Sequence, residues 1–182
     1  KTGEINLKGE NKKLFEKRLF LNIKKQLGDI KVKITGKEGR FFLMPLGAED
    51  PAVNKAIEKT LASVFGLVGY SVVKKTAKKI DAIEKAVLDT VEEKTRDKRA
   101  VSDTPLSFKI NAKRADKSFT PDSYGLSCRL GTLVSENFKD MKVRMKNPDI
   151  PINVEIREKA LIYSDVTKGP GGLPCGVAGK AL

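Results

Sequence analysis

The chain of 182 residues sets 36 Lys and Arg against 23 Asp and Glu, for a net charge of +13, and 40% of its residues are hydrophobic. That apolar share supports a buried core, and no run approaches the ~18 apolar residues of a membrane span. Histidine is absent and cysteine occurs twice, as Cys128 and Cys175. Cys–His nucleophile pairs, histidine general bases and zinc clusters are thereby excluded, and a disulfide framework is disfavoured, so a cytoplasmic setting is the expectation. The charge points to a polyanionic partner, nucleic acid ahead of a membrane surface. Most of it falls early: residues 1–78 hold 17 basic and 8 acidic side chains.

Residues 10–27 read as a helix, because Phe15, Leu19, Ile23 and Leu27 recur every fourth position beside a lysine-rich face. Ile30, Val32 and Ile34 alternate with polar residues as a half-buried strand does, and residues 40–46 return after a glycine turn. Asp50-Pro51 is a helix start, with Val53, Ile57 and Leu61 as its apolar face. Residues 64–74 read as a further strand. A ferredoxin-like βαββαβ unit needs one more strand before the first helix, and residues 1–7 are its expected, truncated source.

The second half opens with a helix predicted over 81–94, with Asp81 and Glu84 as a capping box. Residues 92–103 are expected to form a charged loop. Leu106, Phe108, Ile110 and Ala112 alternate as a strand, Thr120-Pro121 starts a helix, and residues 142–145 make a short strand. Strands over 150–157 and 160–166 complete a second α+β unit. The boundary between the units is placed in the basic run 74–79.

Three segments join positive charge to backbone freedom. The first is GEINLKGENKKLFEKRL, residues 3–19, where Lys8, Lys12 and Lys13 gather at a helix N-terminus, a setting that attracts phosphate. The second is AKRADKSF, residues 112–119, where Lys113, Arg114 and Lys117 crowd a loop between strand and helix. Phe119 reads better as a hydrophobic plug than as a base-stacking residue. The third, KGPGGLPCGVAGKAL, lacks both G-x-x-x-x-G-K-[ST] and G-x-G-x-x-G, so it is not a nucleotide cradle but an ordered linker. Neither cysteine has a local cause for a depressed pKa, and carboxylate pairs such as Glu155 with Glu158 read as surface.

The three segments occurring in this order resemble the family of tRNA 4-thiouridine synthetases. The resemblance implies a ferredoxin-like domain over 1–75, a THUMP RNA-binding domain over 76–167, and a glycine-rich linker over 168–182 toward a PP-loop ATP pyrophosphatase domain. It implies an α+β fold and an RNA-binding role for Lys113, Arg114 and Lys117, for Lys168, Gly171 and Gly172, and for Lys8, Lys12 and Lys13. Lys12 stands where the family often has arginine.

For the complete enzyme the resemblance implies ATP and Mg as cofactors, tRNA as substrate, and a cysteine desulfurase as sulfur donor. A homodimer, no membrane association and a link to thiamine biosynthesis are also implied. The resemblance further implies that the uridine at position eight is adenylated and thiolated while the first two domains hold the acceptor stem and 3′ CCA end. No catalytic residue, metal ligand or cofactor is expected within the chain itself. The alternatives are the RNA-binding half of another THUMP enzyme, such as a tRNA methyltransferase, or a stand-alone RNA-binding protein.

Overall fold

The computed structural model describes residues 2–3, 11–37, 39–47, 50–101 and 104–177. The chain divides into two compact units, the first made of residues 1–70 and 166–182 and the second of residues 71–165.

In unit 1, helix α1 (Lys12–Leu27) buries Leu19, Ile23 and Leu27, the fourfold repeat read from the sequence. It ends at Gly28, whose φ of 55° is open to glycine at little cost, and Lys24 and Lys25 lie against the negative end of the helix dipole. Strands β1 (Val32–Lys37) and β2 (Arg40–Pro45) form an antiparallel hairpin in which Val32 faces Pro45. Helix α2 (Pro51–Leu61) starts as predicted: the Asp50 carboxylate accepts the Ala52 amide at 2.8 Å and Pro51 occupies the first turn. Ile57, Leu61, Val64 and Leu67 close the core over α1, with Phe15, Ile34, Phe41 and Leu43 packed around them. The predicted first strand lies outside the described residues except for Thr2 and Gly3; Thr2 bridges Leu67 and donates to the Gly39 carbonyl at 3.0 Å.

The strand predicted over 64–74 is not continuous. Leu67 bridges Thr2, β3 (Gly69–Tyr70) pairs with β9 (Thr167–Lys168), with Tyr70 opposite Thr167, and Lys74 already belongs to a strand of the second unit. The glycine-rich segment that follows β9 is packed on unit 1. The Gly66 amide donates to the Gly171 carbonyl at 2.7 Å, and the Gly171 amide to the Leu67 carbonyl at 2.8 Å. Pro174 is buried and would touch a Cβ on Gly66, and the Asn22 amide reaches the Cys175 carbonyl at 3.0 Å.

Unit 2 is a five-stranded sheet in the order β4-β8-β7-β5-β6, with β4 (Lys74–Thr76), β5 (Ser107–Arg114), β6 (Lys142–Val143), β7 (Ile150–Ile156) and β8 (Ala160–Tyr163). Strand β5 runs parallel to both β6 and β7, while β8 is antiparallel to β7 and β4. Helices α3 (Ile80–Arg99) and α4 (Ser123–Asn137) pack on one face of the sheet. Ile83, Val87 and Val91 of α3 and Leu126, Leu130 and Val134 of α4 meet Phe108, Ile150, Ile152, Val154 and Ile162 in a single core.

Helix α3 corrects two expectations. Its N-cap is Lys79 rather than Asp81, with no side-chain capping bond, and it runs on to Arg99 through the stretch read as a loop. Thr95 is buried there, its hydroxyl against the Met141 sulfur at 3.7 Å, so the buried stripe continues through a polar residue that an apolar count passes over.

Candidate nucleic-acid interface

In unit 2 the basic loop follows β5 directly. The Ala115 amide bonds the Ile156 carbonyl at 2.9 Å, prolonging the sheet by one residue before the chain turns. Asp116 then organises the turn by accepting the Ser118 amide at 2.9 Å and the Ser118 hydroxyl at 2.6 Å, and by pairing with Lys78. The Lys78 and Ser118 hydrogen bonds hold the Asp116 carboxyl far below the usual carboxylate range.

Arg114 does not present its guanidinium outward. Its Nη1 donates to the Lys117 carbonyl at 3.1 Å and to the Phe119 carbonyl, while its buried Nε has no partner among the described residues. It braces the loop from within. Phe119 is only 9% exposed and belongs to the unit 2 core, the plug expected of it. Lys113 and Lys117 are exposed on either side of the brace. Asp122 caps α4 through the Gly125 amide at 2.7 Å, which starts the helix at Ser123.

The first turn of α4 carries a residue that sequence reasoning passed over. Tyr124 is 78% exposed, an aromatic plane facing solvent seven positions after Lys117. Contact with Cys128 pushes its phenol pKa up. The sequence holds two aromatics near the loop, Phe119 and Tyr124, and only tertiary packing decides which is buried.

In unit 1, Lys8 lies outside the described residues. Lys12 is half-buried, 4.0 Å from Glu16, a surface pair of small energetic weight, and Lys13 is exposed. Asn11 precedes the helix without a side-chain cap, and the first turn holds no acidic residue. Lys168 is exposed on β9 opposite Gly69. Gly171 and Gly172 have φ of 69° and 66°, left-handed values that favour glycine, and the Gly171 amide and carbonyl are already engaged with Leu67 and Gly66. Of the predicted residues, Lys113, Arg114 and Lys117 thus share one loop of unit 2, whereas Lys12 and Lys13 on α1, Lys168 on β9, and Gly171 and Gly172 after it belong to unit 1.

Cys128 and Cys175 are both free and exposed. Among the described residues no group of three or more His, Cys, Asp or Glu could hold a metal ion, and no helix is long and apolar enough to cross a membrane. Glu155 departs from the surface reading: it is 5% exposed and accepts the Tyr163 hydroxyl at 2.7 Å and the Arg157 Nε at 3.3 Å.

The chain is an α+β protein made of a ferredoxin-like domain followed by a THUMP domain. Residues 1–71 match the family model of the ThiI ferredoxin-like domain, and residues 77–165 that of the THUMP domain. A probable tRNA sulfurtransferase of Thermoanaerobacter pseudethanolicus is 41% identical over the whole chain, which spans 44% of that relative. A crystal structure of a 4-thiouridine synthetase–RNA complex with bound ATP superposes with a TM-score of 0.79 at 33% identity, over 97% of this chain and 42% of that one. PH1313 from Pyrococcus horikoshii superposes with a TM-score of 0.81 at 30% identity, over 97% and 56%. The chain thus carries a ThiI-type ferredoxin-like domain and a THUMP domain, and along its length it is similar to tRNA sulfurtransferases, of whose length it spans less than half.

Proposed function

We propose that this chain is the tRNA-binding part of a 4-thiouridine synthetase. It holds the acceptor stem and the 3′ CCA end while a separate PP-loop domain adenylates and thiolates the uridine at position eight. The observation that carries this is the pairing of a ThiI-type ferredoxin-like domain with a THUMP domain in one chain. The ferredoxin-like match is what favours a synthetase over a methyltransferase that shares only the THUMP domain. The complete enzyme uses ATP and Mg, draws sulfur from a cysteine desulfurase and works as a cytoplasmic homodimer, with thiamine biosynthesis as a second outlet for its sulfur.

Within the chain, the residues present do positioning rather than bond-making. Lys113 and Lys117, held apart by the Arg114 brace, are placed to meet phosphates near the 3′ end, and Tyr124 offers a face on which a base can stack. Lys12, Lys13 and Lys168, together with Gly171 and Gly172, are the unit 1 candidates for meeting the stem. Lys8 is a further candidate for stem phosphates. Arg114 serves the RNA indirectly, by fixing the loop that carries its neighbours.

The test is equilibrium binding of tRNA to the intact protein. Lys113→Gln combined with Lys117→Gln should weaken binding at least fivefold and flatten its salt dependence. Wild-type affinity in the double variant, or equal wild-type affinity for tRNA with and without its CCA end, would overturn the reading.

A further inference from the structure

The face of the unit 2 sheet away from the helices carries charge that the loop does not account for. Phe108, Ile110 and Ala112 of β5 point into the core with the helices. Strand alternation therefore sends Ser107, Lys109, Asn111 and Lys113 to the opposite face. Strand β6 is in register with Lys142 beside Ser107 and Val143 beside Phe108, so Lys142 shares the helix-free face. Arg144 continues the ladder, its amide bonded to the Phe108 carbonyl at 3.0 Å. The Lys109 ammonium reaches across to the Met145 carbonyl at 3.3 Å, which places that charge between the two strands.

Lys113, Lys142 and Arg144 are exposed and Lys109 is half-buried. Among the described residues none of the four forms an ion pair. The nearby carboxylates are hydrogen-bonded, although Asp149 also feels the charge of Arg144. Asp149 accepts the Ser107 amide and hydroxyl, and Glu155, in register with Lys113, is held by Tyr163 and Arg157. Midway along the row stands Asn111, in register with Asn153. The Asn153 amide is committed to the Ser164 carbonyl at 3.1 Å, whereas the Asn111 side chain has no hydrogen bond among the described residues.

We propose that the helix-free face of β5 and β6 is a lane for single-stranded RNA, along which Lys109, Lys113, Lys142 and Arg144 hold phosphates and Asn111 meets a base edge. Neighbouring strands lie about 4.8 Å apart, so the basic row on β5 and β6 has a width comparable with that of a single nucleic-acid strand. Side chains on one face of β5 recur about every 6.6 Å, a spacing that suits successive phosphates of an extended strand. The lane runs about 20 Å along β5, from Ser107 to the Lys113–Lys117 loop. An unpaired end seated near the loop can thus continue along the sheet. An amide without a partner, set between lysines, suits recognition of an unstacked base. This deepens the proposed function and rests on unit 2 being an RNA-binding unit.

The experiment compares two hairpin RNAs on the intact protein, one with a four-nucleotide 3′ overhang and one blunt. The triple variant Lys109→Gln, Lys142→Gln and Arg144→Gln should lose about tenfold in affinity for the overhang RNA. Its salt slope should flatten by about 2, near 0.7 for each single-strand phosphate contact. Blunt RNA should bind as it does to the wild type. The pair Lys142→Gln and Arg144→Gln, both at exposed positions, repeats the test should loss of Lys109 disturb folding. Asn111→Ala should change the base preference at one overhang position and leave the salt slope intact. Overhang binding unchanged in the lane variants, while Lys113→Gln with Lys117→Gln weakens it, overturns the lane and leaves the RNA-binding reading standing. Equal losses on blunt and overhang RNA also overturn it. A wild type that binds neither RNA sinks both proposals.

Discussion

Gly169 makes the sharpest structural prediction. It sits just beyond β9, where the backbone of the glycine-rich segment comes closest to unit 1. A Cβ there would overlap the Leu67 carbonyl oxygen and stand 2.9 Å from its carbon, and both neighbours are backbone that cannot swing aside. Gly169→Ala must therefore push the segment off. Three backbone hydrogen bonds are at risk: the Gly169 amide to Val68 at 3.0 Å, the Gly171 amide to Leu67 at 2.8 Å, and the Gly66 amide to Gly171 at 2.7 Å. At about 1 kcal/mol each, the loss is about 3 kcal/mol, which lowers protection against amide exchange by about a hundredfold. Hydrogen–deuterium exchange over residues 166–177 measures this directly. Gly131→Ala is the control: it lies on α4 with open space around it and should stabilise by about 0.5–1 kcal/mol. If Gly169→Ala leaves exchange of the segment and the melting temperature as in the wild type, the close approach to Leu67 does not exist.

Two further outcomes follow from the loop and the sheet. Arg114→Lys cannot reproduce a planar donor aimed at the Lys117 and Phe119 carbonyls, and should lower unit 2 stability by about 1–2 kcal/mol in denaturant melts. The same melts of Lys113→Gln or Lys117→Gln should match the wild type, and an Arg114→Lys melt that also matched would remove the brace. Asp149 is held below the ordinary carboxylate range, first by the Ser107 hydroxyl and then by the Ser107 amide, with the charges of Arg144 and Lys98 adding to them. A carboxyl whose pKa is lower folded than unfolded contributes fully above about pH 4 and loses that contribution as pH falls through the folded value. Asp149→Asn should therefore melt below the wild type at neutral pH and converge with it in acid. A gap that stayed constant down to about pH 2 would contradict the Ser107 contacts.

Much of this architecture was legible because apolar periodicity maps directly onto burial. The stripe Phe15, Leu19, Ile23, Leu27 and the alternation of Phe108, Ile110 and Ala112 both describe core faces. What escaped depends on partners remote in sequence. The run 64–74 has the composition of one strand, yet in its first part Leu67 bridges Thr2 while Gly69 and Tyr70 find their partner far along the chain at Thr167–Lys168. Val72 and Val73 remain exposed. The end of α3 was hidden by its charge, because the residue it buries there is Thr95. At the candidate interface, the exposure of Lys113 and Lys117 was legible from a basic loop. The inward turn of Arg114 was not, since it depends on carbonyls that only the folded loop brings together.

The pairing of β3 with β9 also sets an order of assembly during synthesis. Every strand and helix of unit 2 lies between Ser71 and Asp165, so that unit can complete its sheet as a contiguous stretch. Unit 1 begins first but lacks β9 and the segment around Gly171 until residues beyond 165 have emerged. Domains usually finish in the order in which they leave the ribosome. Here the unit that starts first is completed after the second one, and its unpaired β3 edge waits for a strand that follows the whole of unit 2.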